Sequence, residues 1–365
     1  MKHQLLSLSL FCLLGSACAQ NVLTVCNLPE CPAQHASLAS ALEAASPGDI
    51  VQLLPSPLNY GDATVAIPIT IQGGGHVADP LSGAYAKIGT ISIATSDFRV
   101  EGVYLRAVTL SPSAGEVIEN VEVINNRFYG SGNFVSTGNA GTNDGTKNWS
   151  VQGNVMTPDE APNSTPIFTV SERDTSWSID HNYIDQYWPF QRVLNGGGPV
   201  GEEHALLFHH NLVHTGTSGA FSNSGGLNAS CHSNLFWVVD TAYSFMPSSA
   251  TSTSFVNNLM YSPMGPLTNP DESYENVMNE APEFVSVSGG VPVWNVDSDY
   301  SLAPGSPGIG DGLNGSDVGL FGDLFSFNNS GVPPGLPTFT SISKAYEIVP
   351  VNAPLEVEVE WNAGQ

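Results

Sequence analysis

From about residue 65 to residue 260 the chain repeats one short pattern: an apolar residue, a polar one, one or two small or polar positions that usually include asparagine, and another apolar residue. It reads as Ile71-Gln72-Gly73, Val100-Glu101-Gly102, Val123-Ile124-Asn125-Asn126, Val151-Gln152-Gly153-Asn154, Ile179-Asp180-His181-Asn182, Phe208-His209-His210-Asn211, Cys231-His232-Ser233-Asn234 and Val256-Asn257-Asn258. Taking 73, 102, 126, 154, 182, 211, 234 and 258 as markers, the intervals are 29, 24, 28, 28, 29, 23 and 24 residues. A period in this range signals a repeat architecture, and a four-stranded propeller blade needs roughly 40 residues. The period therefore predicts one coil of a parallel β-helix per repeat. A single coil cannot bury its own inward residues, so stacking completes the core. Asparagines at equivalent corners predict a ladder of amides bonded along the stack, as in cross-β arrays.

An open stack exposes two unpaired edges that must be covered. At the N-terminal end residues 36–46, with Leu38 and Leu42 four apart among alanines and Pro47-Gly48 as a stop, predict a short amphipathic cap helix. The far end is expected to be closed by residues 281–361, whose Leu355-Glu356-Val357-Glu358-Val359-Glu360 alternates like an edge strand. The expected organisation is all-β: a cap and first coil over 20–64, a β-helix over 65–310 and a C-terminal cap or tail over 311–365.

Residues 1–19 have the pattern of a secretory leader: Lys2 and His3, an apolar run over 5–14, and Ala17-Cys18-Ala19 before Gln20. The rival reading is a lipoprotein acylated on Cys18, although Gly15 stands where a leucine is expected. No other run reaches the ~18 apolar residues of a membrane span. A secreted, extracellular or periplasmic monomer is expected. The composition, with 37 Gly, 26 Pro and only 12% charged residues, fits strands and turns rather than disorder. With Lys2 removed the balance is 8 basic against 34 acidic residues, a net charge near −26. Binding of nucleic acid through a basic patch is excluded, and polyanions are repelled unless a cation screens them. In an oxidising compartment Cys26 and Cys31 are expected to pair, leaving Cys231 single and buried.

Six of the nine histidines (181, 204, 209, 210, 214 and 232) fall within 52 residues, among Glu172, Asp174, Asp180, Asp185, Glu202 and Glu203. Equal offsets from the marker lie on adjacent coils about 4.8 Å apart. Gln152, Asp180, His209 and His232 therefore form one predicted outward-facing column, and Asp174 should stack on Glu203, with Glu172 and Glu202 beside them. Like charges at that spacing repel unless neutralised. Ca²⁺, which takes several carboxylate oxygens, is the ion expected there, with Asp174, Asp180 and Glu203 as ligands.

Two segments resemble a known superfamily. Residues Ala41-Leu42-Glu43-Ala44-Ala45-Ser46-Pro47-Gly48-Asp49-Ile50-Val51 are similar to the first coil of right-handed parallel β-helix proteins of the pectin-lyase-like type, and Asp299-Tyr300-Ser301-Leu302-Ala303-Pro304-Gly305-Ser306-Pro307 resembles their closing segment. The resemblance implies a single-stranded right-handed β-helix. Within residues 172–237 it is to pectate lyases: Trp177-Ser178-Ile179-Asp180-His181-Asn182 is similar to their W-x-D-H-N coil, whose Asp lies near calcium. His209-His210-Asn211 and Gly225-Gly226 are similar to their H-H-N coil and its following glycines, and Arg192 lies where that family places a substrate-binding lysine. The departure is in the arginines, because the positions of the basic residue and of the carboxylate-gripping residue are here Gly219 and Ser224. Proton abstraction next to a carboxylate needs a base and a cation on the developing enolate, so that mechanism is not implied. The spaced aspartates and G-H-G of polygalacturonases are missing too.

Three readings stay open. One is a secreted carbohydrate-active enzyme, lyase or hydrolase, with a groove on coils 172–243. In it Asp180, His209, Glu202 and Glu203 are the acid and base candidates, and Arg192, Trp188, Tyr187, His181, His210 and His232 contact the polysaccharide. The others are a non-catalytic glycan-binding protein and a structural extracellular solenoid.

Overall fold

The computed structural model describes residues 20–77, 84–111, 117–137, 145–159, 166–171, 173–186, 193–197, 206–216, 229–239, 253–267, 275–334, 336, 338–344 and 357–362. They form a parallel β-solenoid, the fold that the repeat predicts. One sheet of ten parallel strands runs from Val22–Val25 through Trp177–Asp180 and Leu206–His209 to Ser254–Val256. A second sheet of thirteen strands lies on the other side of a two-residue corner and includes Tyr183–Gln186, Leu212–Thr215 and Leu235–Val238. Among the described residues no helix is long and apolar enough to cross a membrane.

Strand alternation sets the core. Val100, Val123, Val151, Ile179, Phe208, Cys231 and Phe255 are in register on successive strands, and each is at most 3% exposed. Every coil thus contributes one apolar side chain to a column that only its neighbours can cover. Cys231 is a free thiol within that column.

The helix α1 (Leu38–Ala44) starts at Ser37, whose side chain accepts from Ser40 N, and buries Leu38 and Ala41. It packs against the first two strands of the solenoid, so the cap helix is found where the i, i+4 leucines place it. A disulfide joins Cys26 to Cys31, with 6.0 Å between Cα atoms.

The C-terminal region behaves differently from the simple end cap expected over 281–361. Residues 308–334 run back along the corner between the sheets, against the order of the coils. Gly319 N donates to Ser233 O at 2.8 Å, the Phe325 ring lies 4.9 Å from that of His181, and His76 N donates to Ser330 O at 2.9 Å. The preceding segment covers the second sheet, where Tyr183 donates to Pro292 O at 2.6 Å and packs at a tilt against Trp294 and Tyr300. The reason is apolar: Val155, Tyr183, Leu212, Leu235 and Leu259 form an outward column of that sheet, and the strap removes it from water. Strand Val357–Asn362 does pair, antiparallel, but with Thr338–Lys344.

Candidate functional site

The corner of each coil has two positions, and the site grows from them. In the second, Asn126, Asn154, Asn182, Asn211, Asn234, Asn258 and Asn276 form a continuous ladder. Each Oδ1 accepts from the backbone N and the Nδ2 of the preceding asparagine, at 2.9–3.2 Å. Val103 N begins the series by donating to Asn126 Oδ1. Markers 73 and 102 therefore belong one position earlier than the asparagines, because Gly102 is in register with Asn125 rather than Asn126.

That earlier position is left-handed: Gly102, Asn125, Gly153, His181, His210, Ser233 and Asn257 all have φ between 51° and 67°. Histidine tolerates this region better than most residues. Its consequence is that His181 and His210 point out of the corner together, rings parallel within 3° and centroids 5.0 Å apart.

The predicted column is present. Gln152, Asp180, His209 and His232 are in register on four successive strands, and the His209 and His232 rings stack at 4.9 Å. It is not uniformly exposed. Asp180 is only 4% exposed, because Gln152 Nε2 and Ser178 Oγ donate to it at 2.6 and 2.7 Å and His181 Nδ1 lies 2.9 Å away. His209 keeps an open edge. Its Nε2 is 3.2 Å from Ser178 Oγ and 4.0 Å from Asp180 Oδ1, and its Nδ1 is 2.9 Å from His210 Nδ1.

The strap covers His181 and His210, which are 1% and 5% exposed. Ser316 Oγ lies 3.1 Å from His210 Nε2, and Asp323 reaches both rings, with Oδ1 3.1 Å from His181 Nε2 and Oδ2 3.8 Å from His210 Nδ1. A Cβ on Gly322 would meet the His210 ring at 2.1 Å, so only glycine lets the strap approach this closely.

Burial dominates the electrostatics. It lowers His209 and brings His210 and His232 down to about 4, leaving these rings neutral near pH 7. Burial alone would raise Asp180, but the His181 hydrogen bond and the His209 charge outweigh it and hold the carboxyl below its usual range. Asp323 is likewise lowered, against its own desolvation, by the Phe325 N–H and the nearby histidines. Stability should follow. Below about pH 6.5 an unfolded histidine takes a proton, whereas folded His210 and His232 do not until about pH 4. Their contribution is thus complete above 6.5 and drains away as the pH falls from 6.5 to about 4. The lowered carboxylates lose theirs only below that window. Thermal midpoints recorded from pH 7.5 to 4 should fall throughout it, and a flat profile contradicts these ring environments.

Asp174 stands elsewhere. Its oxygens accept from Thr137 Oγ1, Thr146 Oγ1, Thr146 N and Ser171 N, at a buried corner beside the stacked Trp149 and Trp177, so the structure does not bring it to the histidines. Asp185 faces His214, with Oδ1 3.3 Å from Nδ1. Glu172, Tyr187, Trp188, Arg192, Glu202, Glu203, His204, Gly219, Ser224, Gly225 and Gly226 lie outside the described residues. The residue that sequence reasoning missed is Asp323, which sits in the strap with no repeat to set its register.

Neither a protein-family model nor a curated protein matches the chain. Solved structures similar to it include the pectate lyase Pel9A, with 13% identity and a TM-score of 0.40 over 83% of this chain and 96% of that one. An alginate lyase from Paenibacillus sp. str. FPU-7 is similar at 13% identity and a TM-score of 0.34, over 66% and 95% of the two chains.

Proposed function

We propose that this is a secreted carbohydrate-active β-helix protein that acts on a polysaccharide at the open edge of the histidine corner. The observation that carries the reading is the Ser178–Asp180–His209 group. It holds a neutral imidazole and a carboxylate 4.0 Å apart, bridged by a hydroxyl, on the outer face of the first sheet. A neutral imidazole is a competent base, and the ionised Asp180 stabilises the imidazolium formed. The leader pattern of residues 1–19 and the Cys26–Cys31 disulfide support export to an oxidising compartment.

A panel of neutral and acidic polysaccharides tests this, read by ultraviolet absorbance of unsaturated ends and by new reducing ends. Elimination gives both signals and hydrolysis only the second. Cleavage of at least one glycan is expected, with little or no calcium-dependent elimination of polygalacturonate, since Gly219 and Ser224 supply no arginines. Rapid polygalacturonate elimination would overturn the second half of that expectation. Binding without cleavage across the panel would favour the glycan-binding reading. One observation supports that alternative: Tyr85, Tyr104 and Tyr129 lie in series, their rings tilted by 40°, with Lys87 Nζ 4.0 Å from the Tyr129 ring centroid. Arg127 lies over Tyr104. Tyrosine faces and cations together suit sugar rings that carry acidic groups.

A further inference from the structure

We propose that His181, His210 and Asp323 form a binding site for a divalent transition-metal ion. Among the described residues this is the group of three His, Cys, Asp or Glu side chains whose ligand atoms converge, all within 4.8 Å of one another. Two come from adjacent coils and the third from the strap, so the site exists only where the strap is seated.

The geometry around His181 carries the inference. Its Nδ1 lies 2.9 Å from Asp180 Oδ2, a contact that requires the ring proton on Nδ1. Nε2 is then a bare lone pair. It is buried and makes no hydrogen bond, yet it stands 3.1 Å from the Asp323 carboxylate, which also offers only lone pairs. Two acceptors held this close in a buried corner repel unless a positive charge lies between them. The Nε2···Oδ1 line is not that of a hydrogen bond. An ion placed off the line satisfies both atoms. Donors bound at about 2.0–2.2 Å to one ion stand roughly 3.0–3.5 Å apart, which matches the observed 3.1 Å.

The orienting partner is already in place, because a carboxylate holding the remote nitrogen of a metal-binding histidine fixes its tautomer and raises its basicity. Asp180 does this for His181. His210 offers Nδ1, 3.8 Å from Asp323 Oδ2, while its Nε2 is held by Ser316 Oγ. His210 Nδ1 also lies 2.9 Å from His209 Nδ1, so an ion taking this lone pair replaces the hydrogen bond between the two rings. Two imidazoles and one carboxylate suit Zn²⁺, Co²⁺ or Ni²⁺, whereas Ca²⁺ and Mg²⁺ favour all-oxygen sets. The net charge of −25 attracts any cation.

The full chain, purified without a polyhistidine tag and stripped with a chelator, provides the test. Titration with Zn²⁺ and Co²⁺, followed by calorimetry and the visible Co²⁺ spectrum, should give one ion per chain and a thermal midpoint that rises with free metal. Asp323 is partly exposed, so Asp323→Asn preserves the fold, as far-UV circular dichroism would show, and should weaken zinc binding at least tenfold. Asp180→Asn should weaken it about 10–100-fold through His181. His232→Gln, outside the set, should bind as the parent does. No stoichiometric zinc at micromolar concentrations, unchanged affinity in Asp323→Asn combined with His210→Gln, or stabilisation by Ca²⁺ alone would each overturn the site.

Discussion

Replacement of Asn182 by alanine should cost about 3–5 kcal/mol. The side chain is fully buried. Its Nδ2 donates to Val151 O and Asn211 Oδ1, and its Oδ1 accepts from the N and Nδ2 of Asn154. Alanine removes all four bonds and leaves the Asn154 N–H and the Val151 carbonyl without that partner. Each buried polar group abandoned in this way costs about 1–3 kcal/mol. Partial rescue follows where a second bond survives, as for Asn154 Nδ2 on Val123 O and Asn211 Oδ1 under Asn182 N. At the end of the ladder the half-buried Asn276 has one asparagine neighbour instead of two. Asn276→Ala should therefore lose clearly less. Chemical unfolding of both variants decides the matter, and equal losses would mean that the ladder is a row of independent caps.

His209→Ala and Asp180→Asn should each reduce turnover on a cleaved glycan by ~10²–10⁴-fold, the range for acid–base groups. The two should differ in pH dependence. Removing the imidazole abolishes the acidic limb, because that limb reports protonation of a ring that burial has already pushed below the ordinary histidine range. Asp180→Asn leaves the limb but moves it to lower pH, since the carboxylate charge is what opposes that shift. Ser178→Ala, which removes the hydroxyl between them, should have a smaller effect. Turnover within threefold of the parent in His209→Ala, with an unchanged thermal midpoint, would remove His209 from the chemistry.

The parts of this molecule written with a period were readable from sequence. The coil length follows from the asparagine spacing, and equal offsets from those asparagines placed Gln152, Asp180, His209 and His232 in one column, as the register shows. The same logic slipped by one residue at Gly73 and Gly102, where a small corner glycine resembles a small ladder residue until the pairing is known. It also misjudged exposure. Alternation turns Asp180 away from the core, but neighbouring polar side chains fold over it and leave 4% exposed. Asp323 was illegible for a different reason. It reaches His181 from a segment without strands or repeats, positioned by the apolar flank of the second sheet and by the bare backbone at Gly322.

The strap also sets an order of assembly. Ladder bonds between coils close loops of only 18 to 29 residues, so successive coils can stack as the chain emerges, each on the one before it. The strap makes contacts of another range. Ser316 meets His210 across 106 residues, and Ser330 reaches further back, to His76. Long-range closure of this kind is slow and comes after the local contacts. During synthesis the solenoid therefore exists first as an open rod with His181 and His210 facing water. The strap must then lie down along several finished coils at once. The corner is completed late, from the C-terminal side, by a segment that finds its place only on a correctly registered stack.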